Sequence, residues 1–236
     1  MRIDKLLEAN QVGSKTAIKQ LIRDGLVTVD GRLIRQLNHT VDPGFQQICL
    51  KGQPLKGPAH QYWLLYKPTG VVTAVRDSQW STVLDLIPEA GPKVFPVGRL
   101  DRDSEGLLLL TDNGQLGRML LYPEKKVHKT YHVTVKEPLE AGVQQAFAKG
   151  IIFTDGTRCL PAPLTILTAH TALVEIQEGK RHQVKKMFLA CGKKVLQLKR
   201  IAMGPLKLDQ QAQPGTYRKL TQRELQSLVP YFEGEN

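Results

Sequence analysis

VGRLDRDSEGLLLLTDNG, residues 97–114, is the stretch that decides how the central part of this chain folds. Four consecutive leucines predict a strand buried on both faces, because a strand with one face in solvent alternates apolar and polar residues. The loop before this strand holds three acids and two arginines, and polar residues at the end of a buried strand commonly place a reactive group. Asp103 and Asp112 fit turns equally well, so on these grounds Asp101 is only one candidate acid among several.

The sequence on both sides of this strand predicts a mixed α and β unit over residues 62–230. The candidate strands are 62–66, 71–75, 106–111, 129–136, 172–178 and 195–201. The candidate helices are 82–87, 115–121, 139–148, 182–191 and 222–228. Strands do not alternate regularly with helices, and neither a Walker phosphate loop nor a GxGxxG motif is present, which argues against a nucleotide-binding sheet. The pattern indicates an α+β fold with a largely antiparallel sheet.

A smaller unit is predicted ahead of this one. Two short helices come first, the second capped by Ser14 and ended by Gly25, and an Asp30-Gly31 turn then joins two short strands. A stretch rich in Gly, Pro and polar residues follows, as is typical of a linker. The predicted organisation is therefore a domain over 1–56, a linker over 57–61 and a second domain over 62–236.

The composition favours a polyanionic partner. The 236 residues carry a formal net charge of +11, which makes nucleic acid the first candidate and a membrane surface its rival. No apolar run approaches the roughly 20 residues of a membrane helix, and the start of the chain lacks the apolar region of a secretory signal. The three cysteines are far apart and form no CxxC pair, so we expect a cytoplasmic protein without disulfides or a zinc site.

Lys15, Lys19 and Arg23 follow one another at four-residue spacing on the second predicted helix and form one basic stripe. From the residues alone, a solvated helix face explains this stripe as well as an RNA contact does. The helix–helix–hairpin order of residues 1–48, with RIDKLL followed by SKTAIKQLIRDGLVTVDGRLI, resembles an S4-like RNA-binding module. The resemblance implies that the basic stripe lies against RNA backbone.

Four segments, in order along the chain, resemble one enzyme family. GRLDRDSEGLLLLTDNG, residues 98–114, is similar to the signature of the RsuA-like and RluA-like RNA pseudouridine synthases, especially the former. YWLLYKPTGVVTA (62–74) resembles the family's Lys-Pro-x-Gly segment, KTYHVTV (129–135) its tyrosine segment, and EGKRHQVKKMF (178–188) the segment with a basic partner. The resemblance spans almost the whole chain and implies that it isomerises uridine inside folded RNA, after extruding the base into a pocket.

The resemblance also implies three catalytic residues. Asp101 matches the family's catalytic acid, Tyr131 its active-site tyrosine, and Lys185 the basic partner of the acid, where many relatives carry Arg. The carboxylate either adds covalently to ribose or base, or removes a ribose proton. A neighbouring Lys185 cation would keep it ionised and oriented. Because the isomerisation involves no redox change and no external group, neither a cofactor nor a metal is expected.

A further set of residues is expected to contact RNA. Residues 180–200 hold eight lysines or arginines and no acid, which indicates a phosphate-binding surface. Arg99 either enters the space left by the extruded base, grips a phosphate or forms a structural salt bridge. Lys67 is expected to touch RNA beside Pro68 and Gly70, which shape a turn. The predicted RNA contacts are Arg99, Lys15, Lys19, Arg23, Lys67, Lys180, Arg181, His182, Gln183 and Lys186.

The predicted function is modification of ribosomal RNA by a monomeric enzyme. HQVKKM, residues 182–187, resembles the RsuA branch, which implies uridine 516 of 16S rRNA as the target. One alternative is a pseudouridine synthase of the large-subunit rRNA. Another is a non-catalytic RNA-binding protein of ribosome assembly, against which the presence of Asp101, Tyr131 and Lys185 argues. The linker suggests that the S4-like module moves until RNA binds.

Overall fold

The computed structural model describes residues 1–231 except 45 and 58. Position 58 of the predicted linker and residues 232–236 of the predicted second domain therefore lie outside the described residues. The N-terminal elements are α1 (Ile3–Ala9), α2 (Lys15–Arg23), β1 (Val27–Val29), β2 (Arg32–Leu33), β3 (Ile48–Leu50) and β4 (Gln53–Pro54). No helix within the described part of the chain is long and apolar enough to cross a membrane.

The N-terminal unit packs two helices on a small antiparallel sheet in the order β2-β1-β3-β4. The Ser14 side chain caps α2 by accepting a hydrogen bond from the backbone N–H of Ala17. Asp30 and Gly31 both have positive φ, as a two-residue turn between twisted strands requires. The unit has its own apolar core, built mainly from Ile3, Leu6, Leu7, Ile18, Ile22, Val27, Val41 and Ile48. The predicted S4-like arrangement is confirmed.

The C-terminal unit is built around a nine-stranded sheet, which confirms the α+β prediction. Its main path runs in the order β13-β5-β7-β11-β8-β10-β9, while β6 pairs with β7 and β12 with β11. The strands are β5 (Tyr62–Lys67), β6 (Phe95–Pro96), β7 (Glu105–Thr111), β8 (Lys129–Val135), β9 (Leu164–Ile166), β10 (Thr171–Ile176), β11 (Val195–Met203), β12 (Leu206–Lys207) and β13 (Tyr217–Lys219). The helices are α3 (Gly114–Leu121), α4 (Ala141–Lys149), α5 (Gln183–Ala190) and α6 (Gln222–Ser227), with 3₁₀ turns at Pro123–Lys125 and Val229–Tyr231.

Two predicted elements are absent from the described fold. Residues 71–75 form no strand, since only Val72 makes an isolated bridge, to Thr82. Residues 82–87 form a series of turns instead of a helix. The Asp85 carboxylate accepts the backbone N–H of Thr82 at 2.7 Å, as in a local turn. Pro88 also disfavours helical backbone at the residue before it.

The sheet is held together at its centre by the parallel pair β7 and β11. They are in register at only two positions, Glu105 with Lys199 and Gly106 with Arg200. Gly106 has φ +113°, and a Cβ there would lie 2.2 Å from the backbone oxygen of Arg200. Beyond this point the Leu107 carbonyl accepts a hydrogen bond from Nε of Arg200 at 2.8 Å. A side chain at position 106 would therefore push the two strands apart.

A buried hydrogen-bond chain joins the two units. The Tyr62 hydroxyl on β5 donates to the Asp42 carboxylate of the N-terminal unit. The same hydroxyl accepts a hydrogen bond from Nδ2 of Asn113 at 2.9 Å. Burial, with the Asp42 charge, raises the pKa of Tyr62 well above its usual value. The hydroxyl therefore stays a proton donor to Asp42.

Candidate active site

The loop that carries Asp101 is fixed through its main chain by the segment that follows β5. The Lys67 ammonium donates to the carbonyl oxygens of Asp101 at 3.1 Å and Ser104 at 2.8 Å, as well as to that of Pro68. The Thr73 hydroxyl donates to the Leu100 carbonyl at 2.7 Å. These contacts set the position of the loop without using its own side chains.

Lys67, predicted to touch RNA, is instead a structural residue. Its side chain is fully buried at the end of β5, and its ammonium is surrounded by carbonyl oxygens. Burial lowers the pKa of Lys67 to about 8, while the charge of Asp101 opposes this shift. The Lys-Pro-x-Gly segment thus positions the Asp101 loop, to which Gly70 adds a hydrogen bond from its backbone N–H to the Arg102 carbonyl at 2.7 Å.

Asp101 and Lys185 form an ion pair beside a cavity that Asp101 lines. Nζ of Lys185, on α5, lies 3.2 Å from Oδ2 of Asp101 and 2.5 Å from Oδ1 of Asp103. The Asp101 side chain is 31% exposed and that of Asp103 is 76% exposed. Hydrogen bonding to Lys185 lowers the pKa of Asp103. Lys185 therefore serves both acids, but only Asp101 lines the cavity.

His182 is a second basic neighbour of Asp101. Its Nε2 lies 3.5 Å from Oδ1 of Asp101. His182 stands just before α5 with φ 52°, a left-handed conformation that costs a side-chain-bearing residue of the order of 1 kcal/mol. The sequence had placed His182 among the RNA contacts, and no spacing rule predicts its approach to the acid.

The cavity beside Asp101 has a volume of about 850 Å³, within the range of ligand pockets. Tyr131 on β8 lines it with only 7% of its surface exposed. Asp101, Tyr131 and Lys185 come from three distant segments, and the structure brings them to one place. The carboxylate, its cationic partner and an aromatic face are the groups that the expected chemistry requires.

The other predicted RNA contacts divide into exposed and buried groups. Exposed side chains are those of Arg99, Arg181, His182 and the stripe Lys15, Lys19 and Arg23. Gln183 is instead buried, where its amide donates to Glu178 and accepts from the backbone N–H of Lys180. Lys180 is paired with Glu178, and Lys186 lies 5.3 Å from the ring centre of Phe153. The Gln183 side chain therefore stabilises the turn that leads into α5 and does not contact RNA.

Two basic residues of the cavity were missed as members of the site. Arg200 belongs to the basic run 180–200, but it is 1% exposed and cannot lie on a phosphate-binding surface. Lys129, two residues before Tyr131, is buried as well. Residues two apart on a strand share a face, so the spacing of Lys129 and Tyr131 could have indicated that Lys129 lies on the same face as Tyr131. No sequence pattern marks Arg200 as different from its exposed neighbours.

Comparisons with known proteins agree with this geometry. The family model described as RNA pseudouridylate synthase matches residues 61–190, and the S4 domain model matches residues 1–45. An uncharacterized RNA pseudouridine synthase, YtzG, from Bacillus subtilis is 40% identical over 97% of this chain and 98% of its own length. Ribosomal small subunit pseudouridine synthase A from Escherichia coli is 37% identical over 97% of this chain and 100% of its own length.

A solved structure gives the same result. A crystal structure of a pseudouridylate synthase is 34% identical, covers 97% of this chain and 100% of that chain, and has a TM-score of 0.68. The family match extends over more than half of the chain and includes all three segments that meet at the cavity. The chain therefore belongs to the RNA pseudouridine synthases, isomerases of uridine, and within them to the RsuA type with an N-terminal S4 domain.

Proposed function

We propose that the protein isomerises one uridine of the small-subunit rRNA, uridine 516 of 16S rRNA, with Asp101 as the catalytic carboxylate. The observation that carries the proposal is the Asp101–Lys185 pair at 3.2 Å beside a cavity lined by Tyr131. The choice of the small subunit rests on the relatives that are ribosomal small subunit pseudouridine synthases A, such as that of Escherichia coli. The enzyme acts as a monomer in the cytoplasm.

In this mechanism the target uridine leaves its stack and enters the cavity, since a stacked base hides both its C5 and the ribose C1′. Asp101 then either bonds covalently or takes a ribose proton while the N1–C1′ bond breaks. Lys185 pairs with the carboxylate and fixes its position at the cavity. The base turns, C5 bonds to C1′, and the C5 proton is lost.

Tyr131 acts on the base. Its buried ring offers a flat apolar face on which the flipped uracil stacks. Its hydroxyl accepts the C5 proton late in the reaction and passes its own proton to solvent, while N1 of the turned base gains a proton, so that the product is an isomer of the substrate.

The RNA is held by a domain over 1–56, separated by a linker over 57–61 from the catalytic domain over 62–236. The stripe Lys15, Lys19 and Arg23 is exposed and faces the rRNA backbone, with Arg99 and Arg181 at the cavity completing the path. These contacts neutralise phosphates and position the RNA without reading its sequence. The Tyr62 bond to Asp42 opposes free movement between the two domains.

The role of Asp101 is tested by tritium release from rRNA labelled at C5 of uridine. Asp101→Asn should abolish release, because the amide neither attacks carbon nor accepts a proton, while RNA affinity stays within about twofold. Asp103→Asn is the matched control, since this acid shares the loop and the Lys185 contact but is exposed. Undiminished release from Asp101→Asn would refute the assignment.

The target is tested separately by mapping pseudouridines with carbodiimide-dependent primer extension in a strain that lacks the gene. The proposal expects loss of the single modification at position 516 of 16S rRNA and its return with the wild-type gene. Loss of a large-subunit site, with position 516 unchanged, would refute the small-subunit assignment and leave the role of Asp101 intact.

A further inference from the structure

Two cationic side chains line the floor of the cavity beside Tyr131. Arg200 on β11 stands directly opposite Tyr131 in the β8–β11 pairing, and Lys129 precedes Tyr131 by two residues on β8. Paired residues, and residues two apart on one strand, have side chains on the same face of a sheet. Lys129, Tyr131 and Arg200 therefore share one face, and all three line the cavity.

Neither cation has a carboxylate partner within the described residues. Arg200 is 1% exposed; its Nε bonds to the Leu107 carbonyl, and its Nη2 is buried with no hydrogen-bond partner. The Lys129 ammonium donates to the Val127 carbonyl at 2.9 Å. Burial, reinforced by the charge of Arg200, lowers the pKa of Lys129 to about 8. Buried cations without anions are costly, and proteins keep them where a ligand supplies the negative charge.

The isomerisation generates such a charge at this position. When the N1–C1′ bond breaks, its electron pair stays with the base, and the resulting uracil anion spreads its charge over N1 and the carbonyl oxygens O2 and O4. The anion persists until C5 bonds to C1′, when an electron pair of the base forms the new bond. A base stacked on Tyr131 would have its edge next to Lys129 and Arg200, whereas its phosphates belong to the RNA backbone outside the cavity.

We propose that the Lys129 ammonium and Nη2 of Arg200 bind the carbonyl oxygens of the flipped uracil and stabilise the uracil anion after glycosidic cleavage. Preformed charges in a dry site act strongly on charge that develops in a transition state, and they need no reorganisation during the step. The inference rests on the proposed isomerisation at Asp101, and it adds two catalytic residues that act on the base instead of the ribose.

The first test compares single-turnover rates of Lys129 variants on whichever rRNA the wild type modifies. Lys129→Met should lose at least about tenfold in rate with unchanged RNA affinity, and Lys129→Arg should retain most of the rate. Lys136→Met is the matched control, since Lys136 is exposed just beyond the end of the same strand. A normal rate for Lys129→Met would overturn the proposal.

The second test begins with the wild-type protein, so its first comparison does not depend on the folding of a variant. RNA with 2-thiouridine or 4-thiouridine at the target weakens one base acceptor at a time, and RNA with a neutral methylphosphonate beside the target removes a phosphate charge instead. The wild type should slow with at least one thio substrate; this effect should shrink in Lys129→Met, which lacks the cation, and persist in Lys129→Arg, because coupled groups are not additive. Coupling to the methylphosphonate alone would overturn the proposal in favour of a phosphate site. Because every comparison is made relative to the wild type on its own substrate, a different target uridine would leave this test valid.

Discussion

Gly106→Ala is the substitution that most directly tests why β7 and β11 meet as they do. A Cβ at this position would lie 2.2 Å from the backbone oxygen and 2.5 Å from the backbone nitrogen of Arg200. Both atoms belong to the main chain of a neighbouring strand, so no side-chain rotation relieves the clash. The backbone also sits at φ +113°, where only glycine is unstrained.

The cost can be worked out from these two causes. A non-glycine residue held in a sparsely populated backbone region costs about 1–3 kcal/mol. Forcing extra atoms into a packed interior costs a further ~1–3 kcal/mol. We therefore expect Gly106→Ala to lower the free energy of unfolding by about 2–6 kcal/mol, a large fraction of the stability of a typical domain.

Urea denaturation followed by fluorescence of the buried Trp63 measures the loss. Gly114→Ala is the control, because an alanine Cβ at the start of α3 meets nothing within 4 Å. It should change stability by less than about 1 kcal/mol. A loss below about 1 kcal/mol for Gly106→Ala, equal to that of the control, would refute the account of this strand junction.

Three other predictions concern the charged groups. Lys67→Met tests how Lys67 contributes to the pH dependence of stability. Burial lowers the pKa of Lys67 in the folded protein from 10.5 to about 8. Between these two pH values the unfolded chain binds more protons than the folded protein, so Lys67 makes the free energy of unfolding of the wild type rise with pH. The free energy of unfolding of both proteins would be measured in urea at about pH 7.5 and 10. The wild-type value minus the Lys67→Met value should increase with pH, and a constant difference would contradict the prediction. Lys185→Met should lower the single-turnover rate about 100-fold whereas Lys185→Arg keeps most of it, and equal losses would argue against a charge effect on Asp101. Replacing Lys15, Lys19 and Arg23 by Gln should reduce the number of counterions released on RNA binding by up to about three. This number follows from the slope of log affinity against log KCl concentration, measured by fluorescence anisotropy. An unchanged slope would exclude the stripe from the interface.

The sequence predicted the strongly patterned elements well. Four leucines in succession and the Asp30-Gly31 turn carry local information that tertiary contacts did not override. Residues 71–75 have the β-branched composition of a strand but find no partner strand beyond the bridge at Val72. Strand propensity describes how a residue fits a sheet, and it does not supply the neighbouring strand.

The site was predictable in its centre and not in its surroundings. Asp101 and Tyr131 lie in segments whose resemblance to a family marks their roles. Lys67 ends an apolar strand and Arg200 ends a basic run, and sequence alone gives no sign that their charged ends turn inward to backbone carbonyls. The direction of a long flexible side chain is set by partners that are distant in sequence, 37 residues away for the Ser104 carbonyl.

The way in which the Asp101 loop is fastened has a consequence for how this enzyme can diversify. Lys67, Gly70 and Thr73 bind only main-chain atoms of the loop, and every residue type has those atoms. Exposed side chains such as that of Arg99 are therefore not needed to hold the loop in shape. Exchanging them, one substitution at a time, can change how strongly and in which position RNA is held, while the Asp101 carboxylate stays in its place.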